Sequence, residues 1–231
     1  MLPRTLEPEV MDTSQEAIDY DAMDHREVNR AFVDDLLAAA ARTEGGVRFY
    51  DKGNPHVLDV GTGTAQIPIE LCRRSAICHV TGVDLAGGML KLGRQNIERA
   101  GLMSRVQVER ADAKDLKCAD GTYDVVMSNS IVHHIPKPLK VLAQMVRLLR
   151  PGGLLFVRDL LRPPDAETVE HFVQNYAGEE NPHQQKMFRD SLHAALTLEE
   201  IRGLLSELNV PPIWAKQTSD RHWTISGHTD R

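Results

Sequence analysis

His56-Val57-Leu58-Asp59-Val60-Gly61-Thr62-Gly63-Thr64-Ala65 is the stretch from which the rest of the chain is read. Its apolar run, Val57-Leu58 and Val60, is interrupted by Asp59 and stops at Gly61-Thr62-Gly63. Ile67, Ile69 and Leu71 follow in a segment that predicts a helix. The pattern is that of a buried strand, a tight glycine turn and a helix whose free N–H groups face the turn. Glycine lets a ligand approach the backbone where a Cβ would stand in the way. The carboxyl end of such a strand is where open α/β sheets bind their ligands.

Downstream segments repeat the alternation of strand and helix. Ile77–Asp84 predicts a second strand ending in a carboxylate about 20 residues beyond the glycines, placed to accept from both ribose hydroxyls of a nucleoside. Ala86–Ala100 predicts the next helix, closed by Gly101. Arg105–Glu109 alternates like a third strand and runs into Ala111-Asp112-Ala113. Tyr123–Asn129 is the fourth strand, followed by Ser130. A helix then opens at Pro136 and Pro138, with Leu139, Leu142, Val146 and Leu149 as its apolar stripe. Leu149-Arg150-Pro151-Gly152-Gly153 breaks that helix, and Leu154–Val157 is a fifth strand.

Upstream, residues 1–23 read as a polar arm with little structure of its own. A helix begins near Asp24 with Val28, Phe32, Leu36 and Ala40 on one face. Gly45-Gly46 ends it, and residues 51–55 turn into the first strand. Tyr20 is a candidate to cover a ligand on the glycine loop. After the fifth strand, residues 163–196 predict a helical insert, with one helix over 165–177 and another near 184–195. Thr197-Leu198-Glu199-Glu200 has capping-box spacing and starts a last helix. Residues 213–218 and 222–226 flank a hairpin turn.

Composition restricts the function further. With 231 residues, 42% hydrophobic and 26% charged, the chain suits one soluble α/β domain. A net charge of -6 gives no general attraction to nucleic acid or to an anionic membrane, so neither is expected as a partner. No apolar run is long enough to span a bilayer. Three cysteines without C-x-x-C spacing suggest free thiols in a reducing cytoplasm. Ten histidines show neither H-x-H nor H-E-x-x-H spacing, so no metal is expected.

Two nucleotide-binding patterns share the glycine loop. The dinucleotide fingerprint G-x-G-x-x-G/A needs a small third residue for close helix–strand packing, and Gln66 occupies that place. Asp59-Val60-Gly61-Thr62-Gly63 instead resembles the first motif of class I S-adenosylmethionine (SAM)-dependent methyltransferases. Asp84, the Ala111-Asp112-Ala113 turn, YDVVMSNSIVHHI and LLRPGGLLF occur in the order of that family's core. The HHI and LRPGG segments are similar to a small-molecule subgroup that includes the UbiE-type quinone C-methylases. The resemblance covers about residues 55–160.

The resemblance implies a Rossmann-like, seven-stranded, mostly parallel sheet flanked by helices, ending in an antiparallel hairpin, within one domain. Within that domain, 1–54 would be arm and helix, 55–160 the cofactor core, 163–196 the acceptor-side insert and 197–231 the final helix and hairpin. It implies SAM as cofactor, S-adenosylhomocysteine as product, and a small-molecule acceptor. Tyr20, Asp59, Gly61, Thr62, Gly63, Asp84, Leu85, Asp112, Ala113, Asn129 and Ser130 would bind the cofactor, with Asp112 accepting from the adenine amino group. Arg189 and His193, four apart on one helical face, and Asp159 after the fifth strand are candidate catalytic residues. His133 and His134 near the cleft mouth are further candidates for a base, although HHI in this subgroup often belongs to the cofactor wall. A nicotinamide-dependent oxidoreductase and a SAM-binding protein without turnover are the alternatives.

Overall fold

The computed structural model describes residues 2–7, 14–23, 25–41, 49 and 53–230. The sequence-predicted helix stop at Gly45-Gly46, and Asp51-Lys52 of the following turn, lie outside the described residues.

Seven strands form one sheet: β1 (His56–Val60), β2 (His79–Asp84), β3 (Val106–Arg110), β4 (Tyr123–Asn129), β5 (Leu149–Leu160), β6 (Ala215–Gln217) and β7 (His222–His228), in the order β3-β2-β1-β4-β5-β7-β6. β1 pairs in parallel with both β2 and β4, and β2 with β3, while β6 and β7 pair antiparallel. The seven-stranded, mostly parallel architecture with a reversed last pair is the one expected. β1 explains why its sequence is nearly all apolar. Every residue after His56 is buried, as in a parallel strand covered on both faces, and only Asp59 breaks the run.

The chain divides into two compact units. One comprises Met11–Asn129, Lys140–Val157 and Ser226–Arg231. It holds α1 (Ser14–Ala22), α2 (Arg26–Ala40), α3 (Gln66–Arg74), α4 (Gly87–Arg99) and most of α5 (Pro138–Leu148). Its core gathers Phe32 and Leu36 of α2, Leu71 of α3, Val57 of β1 and Phe156 of β5, with Phe32 and Phe156 edge to face at 5.1 Å. Cys72 and Cys78 are buried free thiols there.

The other unit comprises the N-terminal residues, Ser130–Leu139 and Arg158–Ile225. It carries α6 (Ala166–Ala177), α7 (Pro182–Ala194) and α8 (Leu198–Glu207). Each of these helices has a side-chain cap: Asp165 accepts from the Thr168 N–H, and capping boxes at Asn181/Gln184 and Thr197/Glu200 close the other two. Val169, Phe172 and Val173 of α6 pack with Leu192 of α7 in its core.

Two expectations need correction. The arm is not devoid of structure, because Ser14–Ala22 is the helix α1. Its polar sequence has little to bury, and it is fixed by side-chain bonds that only the folded chain brings together: Gln66 Nε2 and Asn96 Nδ2 each donate to Asp21 Oδ1 at 3.0 Å. The second concerns Leu149–Gly153, which is the first part of β5 and not a break before it. Gly152, at φ 77°, takes up the bend that a side chain would resist.

Candidate functional site

The glycine loop sits at the carboxyl end of β1, in the first of the two units. Gly61 and Gly63 have φ of 76° and 54°, in the left-handed region that favours glycine. The N–H groups of Gly61 and Thr62 donate to the Val83 carbonyl at 2.8 and 3.0 Å, pinning the loop to β2. Closeness to β2 also depends on Gly82, where a Cβ would lie 2.5 Å from Thr62 Oγ1. α4 approaches through Gly93, whose added Cβ would meet the Gly63 carbonyl at 3.3 Å.

Asp84 ends β2 and faces this loop. Its Oδ2 accepts the Gly63 N–H at 2.8 Å and its Oδ1 the Ala86 N–H at 2.9 Å, so one carboxylate ties the loop to the start of α4. A carboxylate oxygen can accept more than one hydrogen bond. Leu85 follows directly, and its carbonyl accepts from Arg110 Nε at 3.0 Å. Tyr20 of α1 reaches the same loop: a Cβ on Gly63 would stand 3.9 Å from its Cε1. The bare glycine therefore leaves the space between loop and ring open. Burial pushes the Tyr20 hydroxyl up to about 12, with the charges of Asp84 and Asp59 adding to it. A flat aromatic wall, a carboxylate and a side-chain-free loop fit a nucleoside.

Asp59 is buried beneath the loop. Burial raises its carboxyl to about 7, opposed by the Thr62 hydroxyl and reinforced by the Asp84 charge. An unfolded aspartate titrates near 3.9. Between those values the folded chain keeps a proton that the unfolded chain has released, so this group's contribution to stability falls as pH rises from about 4 through about 7. Asp59→Asn, which cannot ionise, should flatten that decline by up to ~1.4 kcal/mol per pH unit. Thermal unfolding of both proteins at several pH values in this window tests it. Parallel curves would remove Asp59 as the cause.

Asp112 lies in the turn after β3, with its side chain partly exposed. Partial desolvation works against its charge, but the Lys114 N–H at 2.9 Å and the Lys114 ammonium at 3.0 Å outweigh it and lower its pKa. Ala113 lies between them. Asn129 closes β4, next to Ser128, whose hydroxyl donates to the Val60 carbonyl at 2.7 Å.

Sequence reasoning missed the scaffold behind Tyr20. Gln66, which counts against a dinucleotide fingerprint, has a positive task here. It donates to Asp21 and accepts from Asn29 Nδ2 at 3.2 Å, holding α1 beside the loop. Asn96 completes the anchor by donating to Asp21 Oδ1 and the Thr64 carbonyl, both at 3.0 Å. No motif marks these residues, since they come together only through the fold.

In the second unit, Ser130 has φ 57° and its N–H donates to the Arg158 carbonyl at 2.9 Å. The candidate catalytic residues all lie in this unit but do not form one cluster. Arg189 makes a bidentate pair with Glu170 of α6, at 2.6 and 2.8 Å, so its fork is already engaged. The His193 carbonyl accepts the Thr5 N–H at 3.0 Å. Asp159 is not at a cleft mouth: it lies within β5 and is fully buried. Its Oδ1 contacts His133 Nδ1 at 2.5 Å and accepts the Leu160 N–H at 2.6 Å. Its Oδ2 accepts the N–H groups of Val132 and His133 at 2.6 and 3.2 Å.

Comparison with known proteins agrees with this architecture. Residues 57–153 match a family model described as a methyltransferase domain. The chain is 34% identical over 119 residues to a demethylmenaquinone methyltransferase of Porphyromonas gingivalis, covering 51% of this chain and 49% of that protein. It is 31% identical over 170 residues to a ubiquinone biosynthesis O-methyltransferase of Xanthomonas oryzae pv. oryzae, covering 68% and 69%. The chain thus spans about half the length of the first relative and about two thirds of the second. Among solved structures, the plantazolicin methyltransferase BpumL, crystallised with a monoazolic desmethylPZN analog and SAH, shares the fold. Its TM-score is 0.71 at 16% identity, with 94% of this chain and 91% of that one covered.

Proposed function

Because the chain belongs to the class I SAM-dependent methyltransferases, we propose that it transfers a methyl group from SAM to a small-molecule acceptor, with Tyr20, Gly61, Gly63 and Asp84 forming the nucleoside end of the cofactor site. The observation that carries this reading is the junction of Asp84 with the glycine loop. A carboxylate at the tip of β2 bonds the Gly63 N–H, directly under an open backbone faced by an aromatic ring. When bound, SAM supplies a sulfonium-activated methyl carbon, which an acceptor nucleophile takes by in-line displacement while the bonding pair stays on sulfur. The chain's own share is then to bind and align, and alignment alone accounts for much of the acceleration in such reactions. The sulfonium charge activates the methyl group, and the proposed displacement is metal-independent.

Asp112 and Ala113 at the β3 turn, with Leu85 and Asn129, are assigned to the remaining wall of the cofactor site. The relatives' names concern quinone biosynthesis, through a demethylmenaquinone in one and an O-methylation in the other. Hydroxylated aromatic and quinone rings are therefore the first acceptors to test. Arg189 and His193 are the side chains of α7 proposed to face an acceptor. If Arg189 acts only through its pair with Glu170, Arg189→Ala and Glu170→Ala should have the same small effect on turnover. A larger effect of Arg189→Ala would give it a direct part.

Titration of the full chain with S-adenosylhomocysteine and with NADH separates the enzyme classes. The expected result is stoichiometric binding of the first alone. Gly63→Val should abolish it, since φ 54° strains a β-branched residue and the side chain would enter the space facing Tyr20. Binding of NADH in place of S-adenosylhomocysteine would overturn the proposal.

A further inference from the structure

In the second unit, the N-terminal residues bring a carboxylate to two adjacent histidines. Val132–His134 form a 3-10 turn after β4. Glu7 Oε1 lies 3.4 Å from His133 Nε2 and 3.1 Å from His134 Nδ1. All three ligand atoms lie within 4.8 Å of one another. We propose that Glu7, His133 and His134 form a binding site for a divalent transition cation of the zinc class.

Four observations support the site. First, two of the three separations are those of ligands around one ion. Zinc bonds nitrogen at about 2.0–2.1 Å and carboxylate oxygen at about 2.0–2.2 Å, so tetrahedral neighbours stand roughly 3.3 Å apart. The two measured separations, 3.4 and 3.1 Å, bracket that value. Second, Glu7 Oε1 is buried and makes no hydrogen bond of its own, while Oε2 accepts from Ser191 Oγ at 3.3 Å. A buried carboxylate oxygen aimed between two imidazole nitrogens is costly unless a cation meets it, either a bound ion or a protonated imidazole.

Third, His133 has the outer support that zinc-binding histidines carry. Asp159 holds its Nδ1 at 2.5 Å, which fixes the tautomer that turns the Nε2 lone pair toward Glu7. Fourth, the carboxylate is held in place through Arg4. Its guanidinium donates to the carbonyls of Ala194, His133 and Ile135 at 2.7, 3.0 and 3.1 Å, which ties the N-terminal residues to the backbone around the two histidines. The Thr5 N–H bond to His193 adds a second fastening.

The charges balance. Glu7 and Asp159 contribute two negative charges to set against those of the divalent ion. Glu7 and His134 side chains are 11% and 16% exposed, which leaves a path for entry. Three protein ligands leave a fourth position for water, as in open zinc sites. This site does not depend on the methyltransferase reading. In chemical terms it is a docking point for a hydrated cation that links the N-terminal residues to the turn after β4.

The test uses the untagged 231-residue chain, stripped with chelator and titrated calorimetrically with zinc. Cobalt(II) reports coordination through its visible absorption. One ion per chain is expected for the wild type. Glu7→Gln, nearly the same shape, and His134→Ala should each weaken binding by more than about a hundredfold, and Asp159→Asn by about 10–100-fold. Circular dichroism confirms that each variant is folded, and Glu7→Gln alone is enough if another variant is not. Absence of one-to-one binding by the wild type overturns the site. So does equal affinity in Glu7→Gln, which would place the ion on other surface histidines.

Discussion

Asp84→Ala lowers the affinity for S-adenosylhomocysteine by at least about tenfold in a titration of the full chain. The carboxylate now accepts two backbone N–H groups, from Gly63 and Ala86. Hydrogen bonds to a charged group contribute roughly 1.5–3 kcal/mol each, and 1.4 kcal/mol is a factor of ten. Removing it therefore loses any ribose contact and also frees the loop on which the ligand would lie. Asp84→Asn should recover only part of the loss, because its amide nitrogen would confront one of those N–H donors with another donor. A folded Asp84→Ala protein with wild-type affinity would show that the β2 carboxylate supports the fold and not the ligand.

Asp159→Ala should cost about 3–5 kcal/mol of folding stability, the range for breaking a buried charged pair from one side. The side chain is fully buried and serves His133 together with three backbone N–H groups, those of Val132, His133 and Leu160. An alanine there leaves all of these donors without an acceptor and without water. The check is urea denaturation, read as a lower midpoint at unchanged slope. A midpoint equal to that of the wild type would mean that the turn after β4 is held by other contacts.

The parts of the molecule legible in its sequence are those whose cause is local. Gly61 and Gly63 announce themselves because left-handed backbone at a strand end leaves few residues to choose from. Asp84 does so because a carboxylate at a strand tip has one direction to point. α6, α7 and α8 carry their own caps, so their starts could be read within a few residues. What escaped was assembled from distance. α1 has almost no apolar face and depends on Gln66 and Asn96, 45 and 75 positions from Asp21. Asp159 reads as a strand-end carboxylate, whereas its burial depends on a histidine 26 positions earlier. Glu7 sits in a polar stretch that gives no hint of the two imidazoles it meets.

The bonds from Leu2 to Pro164 and from Thr5 to His193 also set a timetable for synthesis. Leu2 and Thr5 leave the ribosome before their partners, which are translated some 160–190 residues later. At about 5–20 residues per second, Thr5 waits on the order of ten to forty seconds for His193 to exist. During that interval the glycine-loop half can already be forming while Leu2 and Thr5 still lack their partners. A nascent-chain profile should accordingly show protease access to residues 2–7 persisting until α7 has emerged, and closing only then.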